Sequence, residues 1–261
     1  MLKIAISGIC GKMGMRISEL LKSDAALELS GALEAKNHPN LGKSVEGTRC
    51  SIESDIEKTI QGTDVLIEFT NPQTTLEHLS VVRKYRKSMV IGTTGLNERE
   101  IALLKEASLD IPVLFSPNMS VGVNLLFQLV AQAAKAVPGY DIEIIEIHHN
   151  QKKDAPSGTA DKLARVVADT LGRDLNKTGV YGRKGIIGAR KKDEIGVHAV
   201  RAGDVVGDHT VLFAGPGERI ELVHRAHSRD TFAGGAIRAA KWLAGQKPGL
   251  YGMKDVLVTS M

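Results

Sequence analysis

The first 120 positions alternate between short apolar runs and stretches in which apolar residues recur every three or four positions. Short runs bounded by glycine or proline are typical of buried strands, and the spaced pattern is typical of helices that pack on one side. The predicted strands lie at 2–7, 27–34, 64–70, 88–94 and 111–118, and the predicted helices at 13–21, 72–85 and 97–108. Strands that alternate with crossover helices form parallel sheets, so this part predicts a doubly wound α/β fold.

The pattern changes after residue 118. Helices are predicted at 124–137, 161–172 and 231–245, and a strand at 140–149. Three later strand-like segments, at 194–203, 208–215 and 219–228, are joined by glycine-containing turns and should pair antiparallel. The glycine-rich, charged stretch 181–196 is predicted to be a mobile surface loop. This part therefore predicts a smaller α+β domain with a mixed, mainly antiparallel sheet.

Composition narrows the possible partners. The 261 residues carry a net charge of +4, which suits an anionic small molecule. Ten aromatic residues (five Phe, four Tyr and one Trp) are too few for a base-stacking platform, and no recognition-helix pattern is present, so we expect no nucleic-acid partner. Cys10 and Cys50 show no metal-ligand spacing and favour a reducing cytoplasm. No apolar run approaches the ~18 residues of a membrane span, and the N-terminus has no signal-peptide pattern. We therefore expect a cytoplasmic protein with no membrane partner.

A glycine-rich turn, "AISGICGKMG", links the first predicted strand to the first predicted helix. Gly8, Gly11 and Gly14 form a variant of the dinucleotide fingerprint, in which the backbone approaches a pyrophosphate at a helix N-terminus. Glu34, at the end of the second strand, stands where a carboxylate accepts hydrogen bonds from the adenosine ribose. The pattern predicts a site for NADH or NADPH; a glycine turn in an α/β protein that binds no nucleotide is the alternative.

The residues around Glu34 bear on the choice of cofactor. A carboxylate suits a ribose with free hydroxyls and repels a 2′-phosphate, while Lys36, beyond the uncharged Ala35, could reach a phosphate. We expect NADH to be used at least as well as NADPH. Two later strand ends, 92–94 and 116–119, should also face the cofactor, because ligands of open α/β sheets bind at the carboxyl ends of strands. Ordinary turn chemistry is the alternative for both.

A second motif, "EIHHNQKKDAPSGTA", covers residues 146–160. Strand alternation places Glu146 and His148 on one face and His149 on the other. Ser157 is a good N-cap, and the amides of the helix that follows would attract a carboxylate. Together with Lys152, these features predict a site for a small anion, although each histidine alone could be structural. Lys153 has no assigned role and should be exposed.

This motif resembles the signature of bacterial dihydrodipicolinate reductases, His-His-x-x-Lys-x-Asp-Ala-Pro-Ser-Gly-Thr-Ala. The likeness extends through "SGICGKMG", "IGTTG", "SPNMSVGVN" and "GDHTVLFAGPGERIELVHRAHSRDTFAGGAIRAAKWL". It implies reduction of the dehydrated form of 4-hydroxy-tetrahydrodipicolinate, a cyclic dicarboxylate, on the diaminopimelate and lysine pathway, with NADH or NADPH. It also implies a homotetramer, with a Rossmann-like dinucleotide-binding domain at 1–119 and 230–261, completed by the C-terminal helix. Residues 120–229 would form the substrate-binding and oligomerisation domain.

The resemblance also implies roles for single residues. His148 and Lys152 match the catalytic pair, and either could give the proton; His149, Gly158 and Thr159 match substrate contacts. The implied cofactor contacts are Gly8, Ile9, Cys10, Gly11, Lys12, Met13, Glu34, Gly92, Thr93, Thr94, Ser116, Pro117, Asn118 and Met119. No metal is implied. The chain departs from the family at Ala35, where Arg is common, and at Ser116 and Met119, where Ala and Phe are common.

Two other functions fit the same sequence less fully. Another nicotinamide-dependent reductase, such as an amino-acid dehydrogenase, would share the glycine loop but would not need His-His-x-x-Lys joined to Ser-Gly-Thr. A non-catalytic NADH-binding sensor is the second, and the scattered charge argues against it.

Overall fold

The computed structural model describes residues 1–258, which form two compact units. The first consists of Met1–Val121 together with the chain from Arg229 onward, and the second of Gly122–Ser228. The domain boundaries expected from the sequence were 119/120 and 229/230. Dinucleotide binding by the first domain, and substrate binding and oligomerisation by the second, remain predictions.

The strands and helices have the following bounds. The strands are β1 (Leu2–Ser7), β2 (Leu27–Leu33), β3 (Ile52–Glu53), β4 (Val65–Glu68), β5 (Ser88–Ile91), β6 (Pro112–Phe115), β7 (Asp141–His148), β8 (Gly179–Tyr181), β9 (Ile195–Arg201), β10 (Gly207–Gly215), β11 (Glu218–Ala226) and β12 (Gly249–Tyr251). The helices are α1 (Lys12–Lys22), α2 (Ile56–Gln61), α3 (Pro72–Lys84), α4 (Glu98–Ala107), α5 (Val121–Ala136), α6 (Gly158–Leu171), α7 (Leu175–Thr178), α8 (Asp230–Leu243) and α9 (Met253–Val258).

The sheet of the first unit is parallel, in the order β12-β6-β5-β4-β1-β2-β3. Apolar clusters cover both faces: one includes residues of α1 and α8, and the other includes residues of α2, α3 and α4. Burial on both faces explains why strands such as β4 and β5 are buried throughout. The strand order reverses between β1 and β4, which confirms the predicted Rossmann-like, doubly wound fold.

The sheet of the second unit is mixed, as predicted, in the order β11-β10-β7-β9-β8. Strands β7, β10 and β11 pair antiparallel, whereas β9 pairs parallel to both β7 and β8. The expectation that β9 would pair antiparallel with the strands that follow it was therefore wrong. Helix α6 carries the chain back past the sheet after β7, so the next long strand runs in the same direction as β7.

Only one face of this second sheet is covered by helices of its own unit. Apolar residues of α5 and α6 pack against inward side chains of β7, β9 and β10. Strand β7 alternates accordingly, with Ile142, Ile144, Glu146 and His148 buried and the residues between them half-buried. Of the predicted surface loop 181–196, residues 182–194 connect β8 to β9 and are mostly exposed, whereas the last two residues are buried at the start of β9. Arg183 and Arg190 of this connection both bond Glu143 on β7. None of the helices within residues 1–258 combines the length and the apolar composition of a membrane span.

Candidate cofactor and substrate sites

The glycine loop between β1 and α1 has the conformation that its sequence predicts. Gly8 has φ +78°, a backbone region that other residues rarely adopt, and a Cβ there would lie 2.5 Å from the carbonyl oxygen of Phe69. A Cβ on Gly14 would lie 2.1 Å from the carbonyl oxygen of Gly8. The first and third glycines are thus required for the turn and for the close packing of α1 against it.

The N-terminus of α1 is suited to an anion. Gly11 is the N-cap and offers no side-chain hydrogen bond, so no capping side chain blocks the amides of the first turn. These amides and the helix dipole favour a phosphate group at this position. The cradle fits the pyrophosphate of a dinucleotide.

Glu34 is held in a fixed position beside this loop. Its Oε2 accepts a hydrogen bond from the Cys10 amide at 3.0 Å, and its Oε1 accepts one from the Ala35 amide at 3.0 Å. The side chain is half-buried just beyond the end of β2. A fixed, partly exposed carboxylate at this strand end fits the hydroxyls of a ribose.

A cleft of about 470 Å³ lies in the first unit, within the size range of small-molecule sites. It brings together predicted cofactor residues from three segments, namely Gly11, Lys12, Met13, Gly92, Thr93, Thr94, Pro117 and Met119. Phe69, Thr70 and Phe232 also line it, and the sequence reasoning missed them. Phe69 directly follows β4, so the strand-end argument could have found it. Phe232 comes from α8, and no local pattern placed it here.

The other predicted cofactor residues lie outside this cleft. Ile9 and Cys10 line a second cleft of about 580 Å³, while Gly8 shapes the turn. Ser116 donates a hydrogen bond to the Asn118 carbonyl at 2.7 Å, and the Asn118 side chain accepts one from the Ser120 amide at 2.9 Å. Ser116 and Asn118 thus make turn hydrogen bonds, and their contact with a cofactor stays a prediction.

In the second unit, Glu146 organises the predicted substrate motif. It is fully buried, and its carboxylate accepts hydrogen bonds from both terminal nitrogens of Arg201, at 2.9 and 3.0 Å, and from the Ser157 amide at 3.0 Å. The Nδ1 of His148 bonds the same carboxylate. Burial alone would raise the pKa of Glu146, but these hydrogen bonds lower it overall, so Glu146 is a carboxylate near neutral pH.

This contact fixes the orientation of His148. Because Nδ1 faces Glu146, Nε2 is the ring nitrogen left for other partners. A Cβ on Gly207 would lie 3.0 Å from Nε2, so this glycine keeps the space beside that atom open. His148 is therefore a buried histidine with one nitrogen anchored and the other facing a small residue.

Lys152 joins the same network through Asp154. Its Nζ lies 2.9 Å from Asp154 Oδ1, and the lysine side chain is 21% exposed. The hydrogen bond from Lys152 lowers the pKa of Asp154. Arg201 donates to the Asp154 carbonyl oxygen at 2.6 Å. Contacts thus run from His148 through Glu146, Arg201 and Asp154 to Lys152.

The helix that follows begins as predicted. Ser157 caps α6, and its Oγ accepts a hydrogen bond from the Ala160 amide at 3.2 Å. Gly158 is exposed and Thr159 half-buried in the first turn. Since Glu146 bonds the Ser157 amide, the same carboxylate positions His148 and the N-terminus of α6.

His209 on β10 is a further residue of this site that the sequence reasoning missed. It is buried, its Nε2 lies 3.2 Å from Ser157 Oγ, and its ring meets that of His148 edge-on at 5.2 Å. Burial lowers the pKa of His209 to about 3, and the neighbouring His148 adds to this effect. His209 is therefore neutral, and the alternation of "GDHTVLF" was the signal that it points inward.

The side chains of two other residues of the motif, His149 and Lys153, take no part in the hydrogen bonds described above. His149 follows the end of β7 and is half-buried. Lys153 is exposed, as predicted.

Comparison with known proteins connects both halves of the chain to one family. Residues 2–119 match the family model "Dihydrodipicolinate reductase, N-terminus", and residues 122–257 match "Dihydrodipicolinate reductase, C-terminus". The chain is 49% identical to the 4-hydroxy-tetrahydrodipicolinate reductase of Syntrophus aciditrophicus, covering 98% of each chain. It is 50% identical to the enzyme of the same name from Syntrophotalea carbinolica, covering 98% of this chain and 99% of the relative.

A solved structure agrees with these matches. The dipicolinate-bound dihydrodipicolinate reductase of Paenisporosarcina sp. TG-14 superposes with a TM-score of 0.82 at 28% identity, covering 98% of this chain and 99% of that one. The two family models, the relatives and the fold all point the same way. The chain belongs to the dihydrodipicolinate reductase family.

Proposed function

We propose that this protein reduces the dehydrated form of 4-hydroxy-tetrahydrodipicolinate to tetrahydrodipicolinate with a nicotinamide cofactor, in diaminopimelate and lysine biosynthesis. The observation that carries this proposal is the buried Glu146, which joins His148, the N-terminus of α6 and, through Arg201, the Lys152 loop. The relatives at about 50% identity bear the name of this activity. An amino-acid dehydrogenase on the same scaffold would not need this constellation.

The two compact units have different binding roles. The first unit holds the dinucleotide, with its pyrophosphate at the N-terminus of α1 and its adenosine ribose at Glu34. When bound, the reduced nicotinamide supplies the hydride. The second unit holds the substrate.

The substrate is a dianion, so its site must supply positive charge and N–H donors. Lys152 supplies an ammonium group, and the first turn of α6 supplies the amides of Gly158 and Thr159 with the helix dipole. Asp154 keeps the lysine close to the loop before substrate arrives. His149 is proposed as a neighbouring substrate contact.

Reduction of the conjugated C=C–C=N system leaves an enamine carbon that must take up a proton. We assign this step to His148, which would donate from Nε2 while Nδ1–H stays bonded to Glu146. The carboxylate stabilises the charged ring and fixes its orientation, as a second group does for a catalytic histidine in many enzymes. His209 does not compete for this proton, because burial keeps it neutral.

We further propose that NADH is used at least as well as NADPH. Backbone amides fix the Glu34 carboxylate at the ribose position, where it repels a 2′-phosphate. Lys36 is exposed nearby in sequence and would offset this repulsion only in part. Catalytic efficiencies with the two cofactors test the proposal, and a strong preference for NADPH would refute it.

The quaternary proposal is a homotetramer that forms through the open face of the second sheet. This face carries the apolar residues Ile145, Ile147, Val200, Leu212 and Val223, and the last is 45% exposed in the single chain. Light scattering should give the mass of four chains, and Val223→Arg should reduce it. Leu109→Arg, at an exposed leucine of the first unit, is the matched control. A wild-type monomer would refute the proposal.

Both cysteines are free, which supports a cytoplasmic location.

A coupled assay tests the activity itself. Pyruvate and aspartate semialdehyde are supplied with a purified synthase, and oxidation of NADH or NADPH is followed by absorbance. Lys152→Ala should lower turnover by roughly 10²-fold or more while NADH binding persists. Lys153→Ala is the control, because that neighbouring lysine is exposed and makes no contact in the network described above. No substrate-dependent oxidation with either cofactor would remove the proposed function.

A further inference from the structure

The turn after β1 and the loop after β2 bring together three side chains with metal-binding chemistry. One donor atom from each of Cys10, Glu34 and His38 lies within 4.8 Å of the other two. All three are half-buried, so they are reachable from solvent. The cysteine spacing predicted no metal site, because the three residues belong to segments that only the parallel pairing of β1 and β2 places side by side.

The donor set is a recognisable one. A thiolate, an imidazole and a carboxylate together suit Zn²⁺ and similar divalent transition metals, and three protein ligands leave a position open for water. Mg²⁺ and Ca²⁺ prefer oxygen ligands alone and should bind poorly here. On binding, the Cys10 thiol gives its proton to solvent and forms a bond from sulfur to the metal.

The surrounding hydrogen bonds hold these donors in place. Glu34 is fixed by the amides of Cys10 and Ala35. The Asn40 amide donates to His38 Nδ1 at 3.2 Å, and the Asn40 side chain lies 3.7 Å from Cys10 Sγ. His38 Nδ1 accepts this hydrogen bond with the lone pair of the neutral imidazole. A metal bound at Nδ1 would therefore replace the hydrogen bond from Asn40. The amide bonds to Glu34 and the Asn40 contact with Cys10 are outer contacts, and contacts of this kind orient ligands and support metal affinity.

We propose that Cys10, Glu34 and His38 form a binding site for a divalent transition metal, and that this metal competes with the nicotinamide cofactor. The competition follows from Glu34, because each of its carboxylate oxygens already accepts a backbone amide and a metal would occupy the remaining acceptor positions that the ribose hydroxyls need. The metal site stands on geometry alone, whereas the competition rests on the proposed function.

Cobalt provides a direct test, because Co²⁺ bound to a thiolate shows a charge-transfer absorption that other ligands do not give. The chain has two cysteines, so the band must come from Cys10 or Cys50. Co²⁺ added to the full chain without cofactor should produce the band. Cys50→Ser should retain it, since that thiol bonds the Leu29 carbonyl oxygen and is not in the cluster. Cys10→Ser should abolish it, and His38→Gln should weaken Co²⁺ binding by about tenfold or more.

Competition is measured in the same cuvette by adding NADH, which should displace Co²⁺ and remove the band. Zn²⁺ should in turn raise the apparent KM for NADH without changing kcat, and His38→Gln should blunt this effect by about tenfold. No charge-transfer band, or an equal band in Cys10→Ser, would overturn the metal site. A band that saturating NADH leaves unchanged would overturn the competition. Because cobalt binding needs no turnover, failure of the proposed function would not alter the first result.

Discussion

Replacing Glu146 with glutamine tests the central assignment, because it keeps the shape of the side chain and removes its charge. The wild-type carboxylate accepts four hydrogen bonds: two from Arg201, one from the Ser157 amide and one from His148. The amide oxygen of glutamine can keep the pair from Ser157 and one nitrogen of Arg201. The amide nitrogen would then face the other Arg201 nitrogen and His148 Nδ1, both of which are donors when the histidine is charged.

The cost of that mismatch sets the expected loss of activity. A hydrogen bond to a charged group contributes about 1.5–3 kcal/mol, so disfavouring the charged His148 by this amount lowers kcat by roughly 10- to 150-fold. The NADH affinity should be unchanged, because Glu146 belongs to the second unit and the glycine loop to the first. The effect should therefore appear in kcat rather than in cofactor binding.

Glu143 offers a matched control on the same strand. It is also bound by arginines and by a histidine (His198), but it lies on the opposite face of β7. Both variants leave arginines without a full partner, so both should lower the urea midpoint. Only Glu146→Gln should lower kcat by more than tenfold in the coupled assay. A kcat within about threefold of wild type in folded Glu146→Gln, or an equal loss in Glu143→Gln, would refute the positioning role.

Three further outcomes follow from the same contacts. The pKa of His209 is about 3 in the folded chain, against 6.5 for an ordinary histidine. As the pH falls below 6.5, His209 therefore becomes protonated in the unfolded chain while it stays neutral in the folded chain. This pKa shift corresponds to as much as about 5 kcal/mol of folding stability, which is lost progressively as the pH falls from 6.5 towards 3. His209→Gln should therefore flatten the pH dependence of urea unfolding between these values, and an equal pH dependence in both proteins would contradict the role given to His209. Glu34→Gln removes a charge near the ribose position, so the ratio of NADPH to NADH catalytic efficiency should rise about fivefold. This corresponds to ~1 kcal/mol of repulsion in water between the carboxylate and the 2′-phosphate, and an unchanged ratio would mean that the ribose binds elsewhere. Gly207→Ala puts a methyl group 3.0 Å from His148 Nε2, so kcat should fall about tenfold with NADH binding intact, and normal turnover would show that Nε2 needs no free space.

Local patterns predicted the parts of the site that depend on local geometry. The turn at Gly8, the alternation of side chains along β7 and the cap at Ser157 each follow from a few adjacent residues, and the structure confirms each of them. In such cases the backbone conformation is set by glycine, by strand alternation or by a side chain that bonds its own helix.

Residues that reach the site from distant strands were not predictable in this way. Arg201 lies 55 positions from Glu146, and His209 lies 52 positions from Ser157. Their contacts depend on β9 and β10 flanking β7 on opposite sides, and the antiparallel expectation for β9 had that pairing wrong. The alternation around His209 is consistent with an inward side chain, but it does not show which neighbour that side chain meets.

The two glutamates of β7 also act on strand register. Glu143 and Glu146 stand on opposite faces, and each is met by arginine and histidine on its own side. A slip of β7 by one residue would turn Glu143 into the apolar core without its cations and would expose Ile144 in its place. Because each charge must meet its own cations, the two glutamates help to exclude the misaligned sheet, so charge-removing variants at both positions should increase the population of misfolded chains during refolding.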